Sequence, residues 1–258
     1  MKFGVCTSLQ NIDIVKNSGF DYIEPKLRDV ASMNAEELSE AISILDGHGM
    51  RAETYNIFSP ADMNLSYAAD EHEIGAYTHR ALANAQRLGG EIIVIGSGKL
   101  RNIPEEYSFA EGRERFKRVL DLVSSIASEY GIKVALEPLN TNETNLVNTL
   151  ADASAICSEV GRSNLGFLAD LFHMYKNGED TDEILKYGDQ ILHAHIARRN
   201  EMRGAPGIDD GAEDLRDFHD ALLKTGYKGR ISLEASSKNG FEECVIKFAA
   251  LADHLKLR

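Results

Sequence analysis

The sequence predicts a (β/α)8 TIM barrel, a single domain over residues 1–258, and three observations carry that prediction. Eight short segments of β propensity alternate with segments of helical period. A glycine closes most of the helical segments a few residues before the next strand, where a left-handed C-cap is needed. The 258 residues match such a barrel in length and in number of units. A doubly wound open sheet fits less well, because no GxGxxG turn follows the first strand.

Taken in order, the strands fall at 2–6, 22–24, 51–55, 91–95, 133–137, 165–170, 191–196 and 230–234, mostly runs of Val, Ile, Leu and Phe. The clearest helix is 109–130, where Phe116, Val119, Leu120, Val123, Ile126 and Ala127 recur at steps of three and four and form one apolar stripe. The others are 12–17, 35–45, 74–88, 150–160, 182–187, 214–224 and 241–255. Gly19, Gly49, Gly89–Gly90, Gly131, Gly161 and Gly226 supply the punctuation.

Composition narrows the function. With 43% hydrophobic and 27% charged residues the chain is an ordinary globular protein. A net charge of −13 lacks the basic footprint of a nucleic-acid-binding protein. Three scattered cysteines without a CxxC pair indicate neither a disulfide framework nor a thiolate zinc site. The N-terminus lacks the apolar length of a secretory signal, and no run approaches the roughly 20 apolar residues that span a bilayer. The expectation is a cytoplasmic enzyme with neither a membrane nor a nucleic-acid partner.

In a barrel the chemistry sits at the C-terminal ends of the strands. Strand 2 ends in Glu24-Pro25, strand 3 runs through Glu53 and Tyr55 into Asn56, and strand 4 reaches Gly96-Ser97-Gly98 and Arg101. A lone Gly-Ser-Gly is a weak signal for phosphate. Strand 5 ends in Glu137, strand 6 in Asp170 with His173 three residues on, strand 7 in His193 and His195, and strand 8 in Glu234. Four consecutive strands thus end in Glu, Asp, His and Glu, and three carboxylates around one point repel each other unless a cation joins them. Three carboxylates and one nitrogen suit one hard divalent ion, Mn²⁺ first, with Mg²⁺, Co²⁺ or Zn²⁺ as alternatives. His193 and His195 share a face, and His195, nearer the strand end, is the expected ligand. Singly, each residue also has a bland reading: Asp170 or Glu24 as a helix cap, Glu143 and Arg203 as loop charges. His48, His72, His79, His219 and His254 fall in or just past helical patterns and read as surface residues.

The motifs EPLN at 137–140, DLFHM at 170–174, HAHIA at 193–197, RGAPG at 203–207 and SLEAS at 232–236 resemble the xylose isomerase-like TIM-barrel superfamily. Within it they are most similar to the sugar isomerase and ketose 3-epimerase branch, which includes hydroxypyruvate isomerase-like proteins. The resemblance covers essentially the whole chain and includes the loop GSGKLRNIPE at 96–105. It implies that Glu137, Asp170, His195 and Glu234 bind one divalent metal. It implies that Glu137 and Glu234 are the catalytic acid/base pair, acting through a cis-enediolate intermediate. It implies that His173, Arg203 and Glu143 contact a small sugar, with Glu24, Asn56 and Ser97 as further candidates at the strand ends. A homodimer or homotetramer is also implied. Two departures are visible: the insertion 198–202 delays Arg203 after His195, and the loop past Leu139 reads NTNETN without the aromatic or basic residues common there. The alternatives are a metal-dependent lyase or dehydratase of the inosose type and an endonuclease IV-like apurinic-site nuclease with three zinc ions. The nuclease would need extra histidines near strands 3 and 4, where this chain has Asn56 and Ser97.

Overall fold

Eight parallel strands run in the order β2-β1-β8-β7-β6-β5-β4-β3 in a computed structural model that describes residues 1–200, 203–236 and 240–257. They are β1 (Lys2–Cys6), β2 (Tyr22–Glu24), β3 (Thr54–Tyr55), β4 (Ile92–Ile95), β5 (Lys133–Leu136), β6 (Leu165–Asp170), β7 (Ile191–Ile196) and β8 (Arg230–Leu233). Between β2 and β3 the seam is made by single bridges, Ile23 to Ala52 and Lys26 to Asn56, which bring the sheet to near closure. Helices lie between successive strands, so the predicted (β/α)8 barrel is the observed one.

The helices form where the sequence places caps and stripes. Helix Phe109–Glu129 buries Phe116, Val119, Leu120, Val123, Ile126 and Ala127, the predicted stripe. Asn34 and Thr149 each begin a helix with a capping box, and Gly49 and Gly161 end those helices in the left-handed region at φ 59° and 71°. Three short helices, Leu27–Ala31, Gly98–Arg101 and Leu171–Lys176, are absent from the sequence reading. His219 is a correction: it is buried rather than on the surface, its ring stacked 6.3 Å from Phe3. No helix among the described residues is long and apolar enough to cross a membrane.

Strand alternation sorts side chains between two packed regions. Phe3, Val5, Ile23, Ile93, Ile95, Leu136, Phe167, Ile196 and Leu233 point outward into the large core shared with the helices. The barrel interior is divided. On the β4–β6 side it is a small apolar cluster of Ile92, Val94, Ala135 and Leu168. On the opposite side it is polar and fully buried, with Glu24, Thr54, His193 and Ser232 below His195. Gly4 makes the room this requires, since a Cβ there would lie 2.3 Å from the Tyr22 ring.

Candidate active site

Four strand ends bring Glu137, Asp170, His195 and Glu234 together at the C-terminal mouth. One ligand atom from each lies within 4.8 Å of all the others. Asp170 does two jobs. As N-cap of helix Leu171–Lys176 its Oδ1 accepts from the Phe172 and His173 amides at 2.7 and 3.1 Å, while Oδ2 faces the cluster. The capping reading of this residue therefore holds for Oδ1, and Oδ2 is left facing the cluster. His195 Nδ1 lies 3.1 Å from Glu234 Oε2 and 3.6 Å from Glu137 Oε1, yet no hydrogen bond is aligned to it.

The residues fit a divalent cation on two grounds. Among the described residues His195 Nδ1 and Glu137 Oε1 are buried without a hydrogen-bond partner, an expensive arrangement for polar atoms unless something binds there. The three carboxylates also demand positive charge, and Arg203 supplies some of it. Its Nη2 donates to Asp170 Oδ2 and Glu234 Oε2, both at 2.5 Å, and its guanidinium lies over the Phe172 ring at 5.1 Å. Arg203 reaches the site from a left-handed backbone position, φ 48°, so the delay imposed by the insertion does not carry it away. Residues 201 and 202 of that insertion lie outside the described residues. Burial raises the Glu234 carboxyl, but Arg203 and His195 outweigh it and hold it well below the usual range. Burial likewise opposes the Arg203 charge, and the surrounding acids raise it further above its ordinary value.

His173 sits beside the cluster with its tautomer fixed. Nδ1 accepts from the Asn140 amide at 3.1 Å, so Nε2 carries the proton. That Nε2–H is buried without a partner, 3.9 Å from Glu137 Oε1 and 4.0 Å from Asp170 Oδ2. It is a donor aimed at the cavity. Asn140, which sequence reading assigned no role, also donates Nδ2–H to Glu143 Oε1 at 2.8 Å. Asn56 donates to Glu234 Oε1 at 3.2 Å and leaves its Oδ1 buried and unpartnered. Ser97 adopts φ 47° and meets the Ser59 hydroxyl at 3.2 Å. All of these except Asn140 and Asp170 line a cavity of about 400 Å³ together with Glu137, Arg203 and Glu234. Asn56 is shared with a second cavity of about 300 Å³ beside the β1 and β2 loops.

Three more strand-end features take places that the sequence does not give. Glu24, expected to contact substrate, lines the smaller of these two cavities and not the larger. It is fully buried beneath His195 and accepts hydrogen bonds from four side chains. Burial raises its carboxyl, but His195 and His193 overcome that and hold it well below the usual range. Glu53 lies at the other end of the barrel, paired with Lys2 and Arg230. Gly-Ser-Gly is a seat for a carboxylate: a Cβ on Gly96 would lie 2.3 Å from Glu137 Oε2. Arg101, a strand-end residue with no assigned role, is wholly buried and donates to the main-chain carbonyls of Ile95, Glu137 and Val147. Burial pushes its guanidinium down to about 10, against the pull of Glu137 and Glu143.

A sequence profile described as the xylose isomerase-like TIM barrel matches residues 12–253. A ketose 3-epimerase of Arthrobacter globiformis is 29% identical over 240 residues, 89% of this chain and 78% of that protein. Among solved structures, a D-psicose 3-epimerase with D-tagatose from Clostridium cellulolyticum H10 aligns with a TM-score of 0.82 at 21% identity, covering 100% and 99% of the two chains. The IolI protein with a bound zinc atom aligns at 0.76 and 20% identity, covering 100% and 97%. With matching spread over nearly its whole length and the eight-stranded barrel to go with it, the chain belongs to the xylose isomerase-like TIM-barrel family.

Proposed function

We propose that this protein is a divalent-metal-dependent sugar isomerase or ketose 3-epimerase that moves a proton through a cis-enediolate intermediate. The observation that carries the reading is the convergence of two glutamates, Glu137 and Glu234, with Asp170 and His195 around orphaned ligand atoms in a sugar-sized cavity. The ketose 3-epimerase relative supports the choice of chemistry.

Glu137, Asp170, His195 and Glu234 would hold one ion, Mn²⁺ for preference, since three carboxylates and one imidazole form a hard donor set. A bound divalent ion would supply Lewis-acid stabilisation of the negative charge that develops on the substrate's oxygens. Glu137 and Glu234 then take and return the proton as a general base and general acid on opposite faces of one carbon. The His173 Nε2–H donates to a substrate oxygen, and the Asn56 Oδ1 and Glu143 carboxylate accept from hydroxyls. Arg203, relieved of the carboxylates it now neutralises, donates to the substrate's hydroxyls, while Ser97 contributes at the cavity wall. Among the described residues the other ligand-like group, Cys6, Glu24 and His195, shares His195, which does not suit a three-zinc nuclease.

The test is a panel of ketoses, aldoses, hydroxypyruvate and inososes with Mn²⁺ in D₂O. The expected result is one metal ion per chain and an epimerised or isomerised product carrying solvent deuterium at the reacting carbon. Glu137→Gln and Glu234→Gln should each lower turnover by about 10²–10⁴-fold while the protein stays folded. Loss of water from an inosose would replace this reading with a dehydratase, and three zinc ions per chain would replace it with a nuclease.

A further inference from the structure

We infer that Glu24 is a positioning residue for the metal centre: a carboxylate inside the barrel that fixes His195 with Nδ1 toward the ion. The role rests on the metal reading above and goes beyond it, since Glu24 lies outside the lining of the larger cavity and reaches the four-residue cluster through His195 alone.

The geometry is one-sided. Glu24 Oε1 receives the His195 Nε2–H at 2.9 Å. Glu24 Oε2 receives three donors: Thr54 Oγ1 at 2.7 Å, His193 Nε2 at 2.8 Å and Ser232 Oγ at 2.5 Å. An ionised carboxylate only accepts, so the direction of every bond is set. Ser232 must donate to Glu24, and therefore Tyr22 O–H, 2.7 Å away, donates to Ser232. With Oε2 saturated, the carboxylate cannot rotate without breaking three bonds, and Oε1 remains dedicated to His195. His195 is thereby held as the tautomer with its proton on Nε2. The nitrogen left to bind a cation is Nδ1, the one that faces Glu137, Asp170 and Glu234 without a partner.

The parts come from different strands: Tyr22 and Glu24 from β2, Thr54 from β3, His193 from β7 and Ser232 from β8. All are wholly buried. A carboxylate accepting from the second nitrogen of a ligating histidine orients the ring and raises its basicity, and loss of such a partner costs about 10–100-fold in metal affinity. The polar half of the barrel interior thus has a use that packing alone would not require, because the β4–β6 half is filled by aliphatic side chains.

The experiment is a Co²⁺ titration of the full chain, followed by the d–d absorption of the bound ion and by competition with a chelator, so that no activity is needed. Glu24→Gln presents an amide N–H to donors and should weaken Co²⁺ binding by about 10–100-fold and change the visible spectrum. Ser232→Ala removes one donor from Oε2 and should weaken binding in the same direction by less. Thr78→Val removes a buried hydroxyl bond to Ile74 in a remote helix and controls for general loss of stability, with affinity expected at the wild-type value. Should Glu24→Gln fail to fold, Ser232→Ala carries the test. A folded Glu24→Gln or Ser232→Ala protein with wild-type affinity and spectrum overturns the role of Glu24 while leaving the metal site standing. Wild-type protein that binds no Co²⁺ overturns the metal reading, and this role with it.

Discussion

Glu137 needs room of a fixed shape, and Gly96 supplies it. Any side chain at position 96 would put a Cβ 2.3 Å from Glu137 Oε2 and 3.4 Å from its carboxyl carbon. The obstructed atom is the end of a flexible side chain, so Gly96→Ala should displace the carboxylate rather than unfold the strand. A misplacement of about 1 Å in a reacting group can cost 10²-fold. The expected outcome is a fall in kcat/KM of that order with Tm shifted by no more than about 2 °C. Unchanged kinetics would remove Glu137 from the chemistry. At this scale the sequence was legible for the convergence of Glu137, Asp170, His195 and Glu234, ligand-type residues at the ends of four consecutive strands. It was not legible for Glu24, which occupies the same kind of position but whose carboxylate is turned under His195 by partners up to 208 residues away. Nor was it for Asn140, whose main-chain amide and side-chain Nδ2 both approach His173 Nδ1, at 3.1 and 2.9 Å, and set its tautomer.

Among the elements, long helices announced themselves by period and caps, and most boundaries agree to within a few residues. The short helices after β2, β4 and β6 did not: the first two have no side-chain cap to mark their start, and the third is capped by Asp170, which also ends a strand. Helix Leu150–Val160 contains a testable electrostatic feature. Its first amide donates to Glu179 Oε1 at 2.9 Å, while Glu179 Oε2 is buried with no partner. Burial pushes this carboxyl up to about 7, with the Leu150 amide opposing and Glu183, Asp152 and Asp180 adding to it. Between the ordinary glutamate value and about 7, the folded protein holds a proton that the unfolded chain has released. Stability from this group is therefore present in full below the unfolded pKa and is lost as pH rises through 7. Glu179→Gln removes that titration. Its Tm relative to wild type should rise by a few degrees, on the order of 2–4 °C, between pH 5 and pH 8. A constant difference across that range would place the Glu179 proton elsewhere.

For the whole molecule, the barrel separates the candidate site at one end from an ion-pair network at the other. At the N-terminal end, Glu53 accepts from Lys2 at 2.6 Å and from Arg230 at 2.5 Å, and Arg230 also pairs with Glu91 at 2.6 Å. This network joins the starts of β1 and β8 to the segments that lead into β3 and β4, closing the end opposite the site. Arg230 begins the strand whose far end leads to Glu234, four residues and about 13 Å away. Glu53 and Arg230 are nearly buried, with side chains 10% and 12% exposed, whereas that of Lys2 is half exposed. Removing one partner of a buried pair costs roughly 3–5 kcal/mol, and the remaining Arg230–Glu91 contact and the exposure of Lys2 reduce that here to about 2–3 kcal/mol. Glu53→Ala should therefore lower Tm by roughly 5–10 °C. Conservation of the four-ligand geometry at the other end predicts Co²⁺ affinity and kcat/KM at 25 °C within about twofold of wild type, as for distant sites without shared partners. The separation has a physical basis, because the apolar and hydrogen-bonded layers of the interior lie between the two ends and neither layer includes Glu53. A folded Glu53→Ala protein that keeps its Tm would show the network to be ornamental. One that loses metal affinity would show that the lower end of β8 transmits strain to Glu234.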